Sequence, residues 1–203
     1  MTLDCIVLVA PRSGAGQDRA TVIDLADGKL IVVADGAGGT GGGAAAADAV
    51  VDHFRTLAST RAVHDARDLV LELTALDAGL KRVGQTTAVA IVIRSGSLFG
   101  ASVGDSGAWL VHGDRFDDLT GNQIRKPLLG AEEARPVGFE AIFAEGTLVV
   151  GTDGLFKYAR IAAIGDIARG ADLGRAAESL IAAVRLRSGG LQDDVAVVLA
   201  RPA

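Results

Sequence analysis

Cysteine is almost missing from this 203-residue chain. Cys5 is the only one, so no internal disulfide can form, and its place in the apolar run Cys5-Ile6-Val7-Leu8-Val9 predicts a buried thiol. Histidine is scarce too. His53, His64 and His112 stand far apart with no metal-ligand spacing, which excludes an imidazole–thiolate zinc cluster and leaves them as surface or helix-face residues. Aromatics make up 4% of the chain and there are four prolines. Trp109 reads as a sheet-packing side chain. With no Pro- or Ser-rich linker, residues 1–203 are expected to form one domain with a substantial core. Positive charge is not in excess: the formal net charge is −5, which argues against nucleic acid or an anionic membrane as a partner held by bulk electrostatics. No apolar run approaches the roughly 20 residues of a membrane span, and no basic segment precedes the first apolar run as in a signal peptide. A soluble cytoplasmic protein is the expectation.

Glycine, by contrast, is abundant, at 27 residues. Six of them fall within the eight positions that follow the run Leu30-Ile31-Val32-Val33-Ala34-Asp35. A mostly β-branched run reads as a buried strand. Here it ends in a carboxylate and then in residues whose backbone can turn sharply and approach a ligand closely. A carboxylate beside exposed carbonyls suits a hard cation. Gly36-Ala37-Gly38-Gly39-Thr40-Gly41 also fits the dinucleotide pattern G-x-G-x-x-G. Against that reading, Asp35 would set a negative charge next to a pyrophosphate, and Asp65 to Arg82 reads as helix, not as a strand ending in a ribose-binding acid. A purely structural glycine turn is the third reading.

Elsewhere the pattern alternates short strands with helices. Strands are expected at Leu3 to Ala10, Thr21 to Ala26, Leu30 to Ala34, Thr86 to Arg94, Ser97 to Val103, Gly107 to His112, Phe139 to Ala144, Thr147 to Gly151 and Val195 to Ala200. Hairpin turns are expected at Asp27-Gly28-Lys29, Ser95-Gly96, Gly113-Asp114 and Glu145-Gly146. Helices are expected from Gly43 to about Leu57, from Ala66 to Lys81, brokenly from Asp153 to Arg169, and from an Asp172 cap to about Arg187. Consecutive hairpins imply antiparallel pairing. The fold class is therefore α+β, two antiparallel sheets in a sandwich flanked by helices.

Acids stand at four strand mouths: Asp35, Asp105, Asp153 and the pair Asp193-Asp194. Any one alone is an ordinary turn or cap residue. Antiparallel strands bring the end of one beside the start of the next, so together these acids can gather at one rim. Gathered carboxylates repel unless a cation neutralises them, and oxygen-only ligands select Mg²⁺ or Mn²⁺.

The segments Val33-Ala34-Asp35-Gly36-Ala37-Gly38-Gly39, Gly84-Gln85-Thr86-Thr87-Ala88, Val103-Gly104-Asp105-Ser106, Gly151-Thr152-Asp153-Gly154-Leu155 and Asp193-Asp194-Val195-Ala196-Val197 occur in the order and approximate spacing of one family. From about Arg12 to Leu199 the chain resembles the metal-dependent protein phosphatases (the PPM, or type 2C, family), and within it the compact bacterial type that lacks most of the flap. The resemblance implies a protein serine/threonine phosphatase in which a hydroxide bridging two metal ions attacks phosphorus directly. Asp35 then bridges the ions and the Gly36 carbonyl binds the second. Asp153 and Asp193 complete the first, Asp18 reaches the second through water, and Asp105 serves a possible third. Arg12 resembles the phosphate-binding arginine. Two or three Mn²⁺ or Mg²⁺ ions are the implied cofactors, and a phosphorylated signalling regulator or kinase the implied partner.

Several positions depart from the family. Gln17 stands where Glu is usual, Ala37 where some members have a histidine, Gly107 where Arg is usual, and Asp194 where Asn is usual. Arg12 lies one residue further from Asp18 than the family's spacing. These departures keep open an alternative: a catalytically weak PPM-like module that binds a phosphoprotein or signalling partner.

Overall fold

The structure, a computed structural model, describes residues 2–39 and 41–203. Thr40 of the glycine stretch and Met1 lie outside the described residues. The elements in chain order are strands β1 (Leu3–Ala10), β2 (Arg19–Leu25) and β3 (Gly28–Ala34), helices α1 (Gly43–Thr60) and α2 (Ala66–Leu80), and strands β4 (Ala88–Arg94), β5 (Ser97–Val103), β6 (Gly107–His112), β7 (Arg115–Asp118), β8 (Val137–Ile142) and β9 (Thr147–Gly151). Helices α3 (Asp153–Phe156), α4 (Ile161–Ala168) and α5 (Leu173–Ala183) and strand β10 (Val195–Pro202) follow. They build two five-stranded sheets, ordered β1-β10-β9-β6-β7 and β2-β3-β4-β5-β8.

The layering follows from strand periodicity. A strand between two apolar layers must be apolar on both faces. In β3, Leu30, Val32 and Ala34 pack toward α1 and α2, while Ile31 and Val33 pack toward the opposite sheet. In β10, Val195, Val197 and Leu199 pack with α5, and Ala196, Val198 and Ala200 face the layer between the sheets. The result is the expected α-β-β-α sandwich. Helix starts behave as their caps dictate: Asp65 accepts a hydrogen bond from the Asp68 N–H and Asp172 one from the Arg175 N–H, each at 3.0 Å. Ser95 and Gly96 both take positive φ, 51° and 79°, the geometry of a tight β4–β5 hairpin.

Every described strand pairing is antiparallel. No β-α-β crossover presents the glycine stretch to a parallel sheet, which removes the dinucleotide reading. Among the described residues no helix is long and apolar enough to cross a membrane.

Three expectations need correction. The segments flanking Glu145-Gly146 are not a hairpin: β8 pairs with β5 in one sheet, whereas β9 pairs with β6 and β10 in the other. A short Gly-containing turn looks the same in sequence whether it joins paired strands or crosses between sheets. Burial separates the two cases. All five residues of β9 are buried, as a central strand requires, while β8 alternates with solvent as an edge. The β2–β3 turn is Ala26-Asp27, with Gly28 and Lys29 already in β3. Cys5 is only partly buried, because β1 is a sheet edge with β10 alone beside it. Burial still raises its thiol pKa above the ordinary value.

One buried acid is structural. Asp77 of α2, 5% exposed, accepts backbone hydrogen bonds from Gly130 (2.7 Å), Glu132 (3.0 Å) and Ala134 (2.9 Å). It fastens the irregular segment after β7 onto the helix layer. Asp77→Ala leaves three backbone donors to find other partners and is expected to cost about 3 kcal/mol in urea unfolding. Asp77→Asn keeps one acceptor oxygen and is expected to cost about half as much.

Candidate active site

The acids singled out in the sequence converge on one open cleft of 840 Å³, whose lining includes Arg12, Asp18, Asp35, Gly36, Asp105, Asp153, Asp193 and Asp194. The rim is built from both sheets rather than one. Asp35 immediately follows β3 and Asp105 follows β5 in one sheet. Asp153 follows β9, and Asp193 and Asp194 precede β10, in the other.

Each acid is fixed by its own backbone. The Asp35 N–H donates to Thr87 Oγ1 at 3.0 Å, and its carbonyl accepts from Thr86 Oγ1 at 2.8 Å and from the Thr87 N–H at 2.9 Å. Thr87 Oγ1 in turn lies 2.6 Å from Ser106 Oγ, which ties the Asp105 loop to the Asp35 strand. On the other sheet, the Thr152 N–H donates to the Ala196 carbonyl at 3.1 Å, and the Ala196 N–H donates to Thr152 Oγ1 at 3.0 Å. That pair sets Asp153 beside the Asp193-Asp194 turn. Gly154 has to be glycine here, since a Cβ would stand 1.9 Å from the Asp194 carbonyl oxygen. Gly36 is equally constrained: its Cβ would stand 2.4 Å from the Gly43 backbone, so only glycine lets the start of α1 come this close.

Asp194 was read in the sequence only as a strand-mouth acid that departs from the family. In the structure its two oxygens accept from the backbone N–H groups of Arg12 and Gln17, both at 2.6 Å. It thereby holds the loop that carries Arg12 along the cleft wall. Thr87, Ser106 and Thr152 are buried; each lies in a segment that carries the family resemblance, but none was given a role from the sequence.

Charge in the cleft is poorly balanced. The nearest side-chain cation to Asp153 is Lys157, with Nζ 3.9 Å from Oδ2 and more than half exposed. Arg19 is engaged by Asp48 outside the cleft lining. Burial, reinforced by Asp18, Asp153, Asp105 and Asp193, pushes the Asp35 carboxyl up to about 9. Asp18, 3% exposed, is pushed up to about 7 by burial, against a favourable contact from the Thr152 hydroxyl and with Asp194, Asp153 and Asp193 adding to the rise. Asp153 is shifted upward too, first by burial and then by Asp105 and Asp193. These are the signs of acids forced together with too little counter-charge, Lys157 offsetting only part of the rise at Asp153.

The residues fit a hard divalent cation. Asp18 Oδ2 is buried with no hydrogen-bond partner, and the donors available are oxygens only, from carboxylates and the Gly36 backbone. Among the described residues, no three His, Cys, Asp or Glu side chains are drawn in to a closed coordination set.

No protein-family model and no curated sequence matches the chain. Solved structures do. The chain is similar to the S. agalactiae serine/threonine phosphatase at 21% identity, covering 100% of both chains with a TM-score of 0.87. It is similar to the serine/threonine phosphatase Stp1 from Staphylococcus aureus at 17% identity, covering 100% of this chain and 96% of that one, TM-score 0.86. The catalytic domain of the serine/threonine protein phosphatase PstP, in complex with two manganese ions, matches at 21% identity over 98% of this chain and 97% of that one, TM-score 0.79. At these identities the likeness establishes the fold, which is that of the PPM phosphatases.

The raised carboxyl pKa values set a pH dependence. An aspartate that ionises near 3.8 when unfolded but near 7 or 9 when folded makes the folded state bind more protons, so stability from these groups falls as pH rises through that window. In EDTA the melting temperature is therefore expected to decline between about pH 5 and pH 9. Mn²⁺ is expected to raise it more at pH 8 than at pH 5.5. Equal Mn²⁺ effects at both values in thermal melts would contradict the electrostatic account of the cleft.

Proposed function

We propose that this chain, built on the PPM phosphatase fold, is a single-domain Mn²⁺- or Mg²⁺-dependent phosphatase of phosphoserine and phosphothreonine in proteins. The observation that carries the reading is the ring of Asp18, Asp35, Asp105, Asp153 and Asp193 around one open cleft, with a buried Asp18 oxygen lacking a partner. In this reading Asp35 would be shared by two ions, the Gly36 carbonyl and Asp18 (through water) would help to hold one of them, and Asp153 and Asp193 would help to hold the other. Asp105 serves a possible third. Such ions supply Lewis acidity toward phosphoryl oxygens and a nucleophilic water at neutral pH.

The chain's own side chains do the positioning. Arg12, held by Asp194 through its backbone, offers its guanidinium to the phosphate from the cleft wall. The hydroxyl ties of Thr86, Thr87 and Ser106 keep Asp35 from relaxing away from its neighbours, so the site keeps its shape between turnovers. Neither Cys5 nor any histidine lines the cleft, in keeping with a reading that uses no phosphoenzyme. The wall position that a general acid would occupy is Ala37, which leaves protonation of the leaving group to solvent. An open cleft suits a protein surface as substrate, and a phosphorylated signalling regulator or kinase in a bacterial cytoplasm is the partner this implies.

Gln17 and Ala37 favour a second reading, a PPM-like module that binds a phosphoprotein without efficient turnover. Hydrolysis of a phosphothreonine peptide separates the two. Turnover is expected with Mn²⁺, none with EDTA, and Asp153→Asn is expected to lower kcat/KM by about 100-fold or more. Mn²⁺ binding by a folded protein without turnover of peptide or phosphoprotein would favour the module. Failure to bind Mn²⁺ would overturn the site.

A further inference from the structure

A second cavity lies at the far end of β3 and α1 from the acids. It measures 520 Å³, within the roughly 300–1,000 Å³ of small-molecule sites, and sits between the last turn of α1, the 61–63 loop and the helix-side face of the β2-β3-β4 sheet. Its apolar lining includes Leu25, Leu30, Val63 and Val92; Leu30, Val63 and Val92 are no more than 5% exposed. Because α1 has 18 residues, this cavity stands roughly 27 Å along the helix from Ala44 at the acid cleft.

Asp27, Ser59, Thr60, Arg61 and Arg94 share the lining with the apolar residues, and Arg94 is the one with a buried side-chain atom lacking a partner. Arg94 follows Val92 on the same face of β4, and its Nε is buried without a hydrogen-bond partner. The nearest carboxylate oxygen, Asp27 Oδ2, is 3.5 Å away on a side chain 62% exposed. The guanidinium lies over the Phe99 ring, 5.7 Å from its centroid, and the side chain as a whole is 22% exposed. A buried N–H with no acceptor is costly, and a guanidinium fork matches the planar geometry of a carboxylate, the group that already lies nearest to it in Asp27. Of the other charged groups at this cavity, Arg61 is engaged by Glu72. The α1 C-terminus carries partial negative charge, with no basic residue in its last turn. An anionic head is thus repelled by the helix end and drawn to Arg94, leaving its hydrocarbon against Leu30, Val63 and Val92.

We propose that this cavity is a binding site for a small amphipathic carboxylate, a medium-chain aliphatic or aryl acid whose carboxylate takes the place of Asp27 on Arg94. The site is independent of the phosphatase reading, and its test reads binding alone. Octanoate titrated into the intact ¹⁵N-labelled protein in EDTA is expected to move amide resonances saturably around residues 25–30, 58–63 and 92–94. Octanol, with the same body and no carboxylate, is expected to bind at least about 10-fold more weakly. Arg94→Met, which keeps the apolar stem, is expected to abolish the preference for octanoate. Ala58→Phe, which fills the cavity, is expected to abolish binding of both probes. Asp27→Asn removes the competing carboxylate and is expected to tighten octanoate binding about fivefold. Equal binding of octanoate and octanol, undiminished binding by a folded Arg94→Met protein, or shifts spread over the whole surface would overturn the proposal.

Discussion

Like charges confined in a half-buried cleft are the constraint on which the rest of this structure depends. Asp35, Asp18 and Asp153 all sit where burial and their neighbours oppose ionisation. No local interaction would assemble them, and each would be better solvated apart. They are held together because they terminate or begin strands whose apolar residues are buried in the layers on either side. The free energy that gathers the acids comes from the three apolar layers of the sandwich, not from the cleft itself.

The polar ties around the cleft transmit that confinement. Backbone and hydroxyl bonds from Thr86, Thr87, Ser106 and Thr152 hold the acid-bearing segments by their main chains. The carboxylates are left free to face the cleft. Asp194 is the exception, since both of its oxygens are used on backbone N–H groups. Two adjacent aspartates therefore do different work: Asp193 faces the cleft, and Asp194 closes the loop that brings Arg12 to it. The same division appears away from the cleft: Asp77 of α2 is consumed by three backbone donors, while Arg94 at the end of β4 keeps a donor unused.

Much of this was legible in the residues. The runs Leu30 to Ala34 in β3, Ala88 to Ile93 in β4 and Val195 to Ala200 in β10 are apolar at every position, which only a strand covered on both faces can use, so the two-sheet sandwich is legible in the residues. The glycine stretch after Asp35, and Gly154 after Asp153, announced close backbone approach. The structure gives the reason as contacts with Gly43 and with the Asp194 carbonyl. The β8–β9 connection was misread because a turn signal is local, whereas the choice of sheet depends on which neighbours can cover a strand's two edges. Cys5 was misread for a related reason: apolar neighbours in sequence do not reveal that a strand lies at the edge of its sheet.

The sequence by itself determined which residues are acids at strand mouths, which segments are buried, and that the donors offered to a ligand are oxygens. Only the tertiary structure decided that acids from both sheets share one cleft, that Asp18 is among the most buried of them, and that Asp194 serves the Arg12 loop. It alone decided that Arg94, one charged residue at the end of an apolar strand, faces a cavity. Strand and helix periodicity depend on neighbours within a few residues and are written along the chain. Which strand ends meet across two sheets depends on packing between segments more than a hundred residues apart, as with Arg12 and Asp194, and no local pattern encodes it.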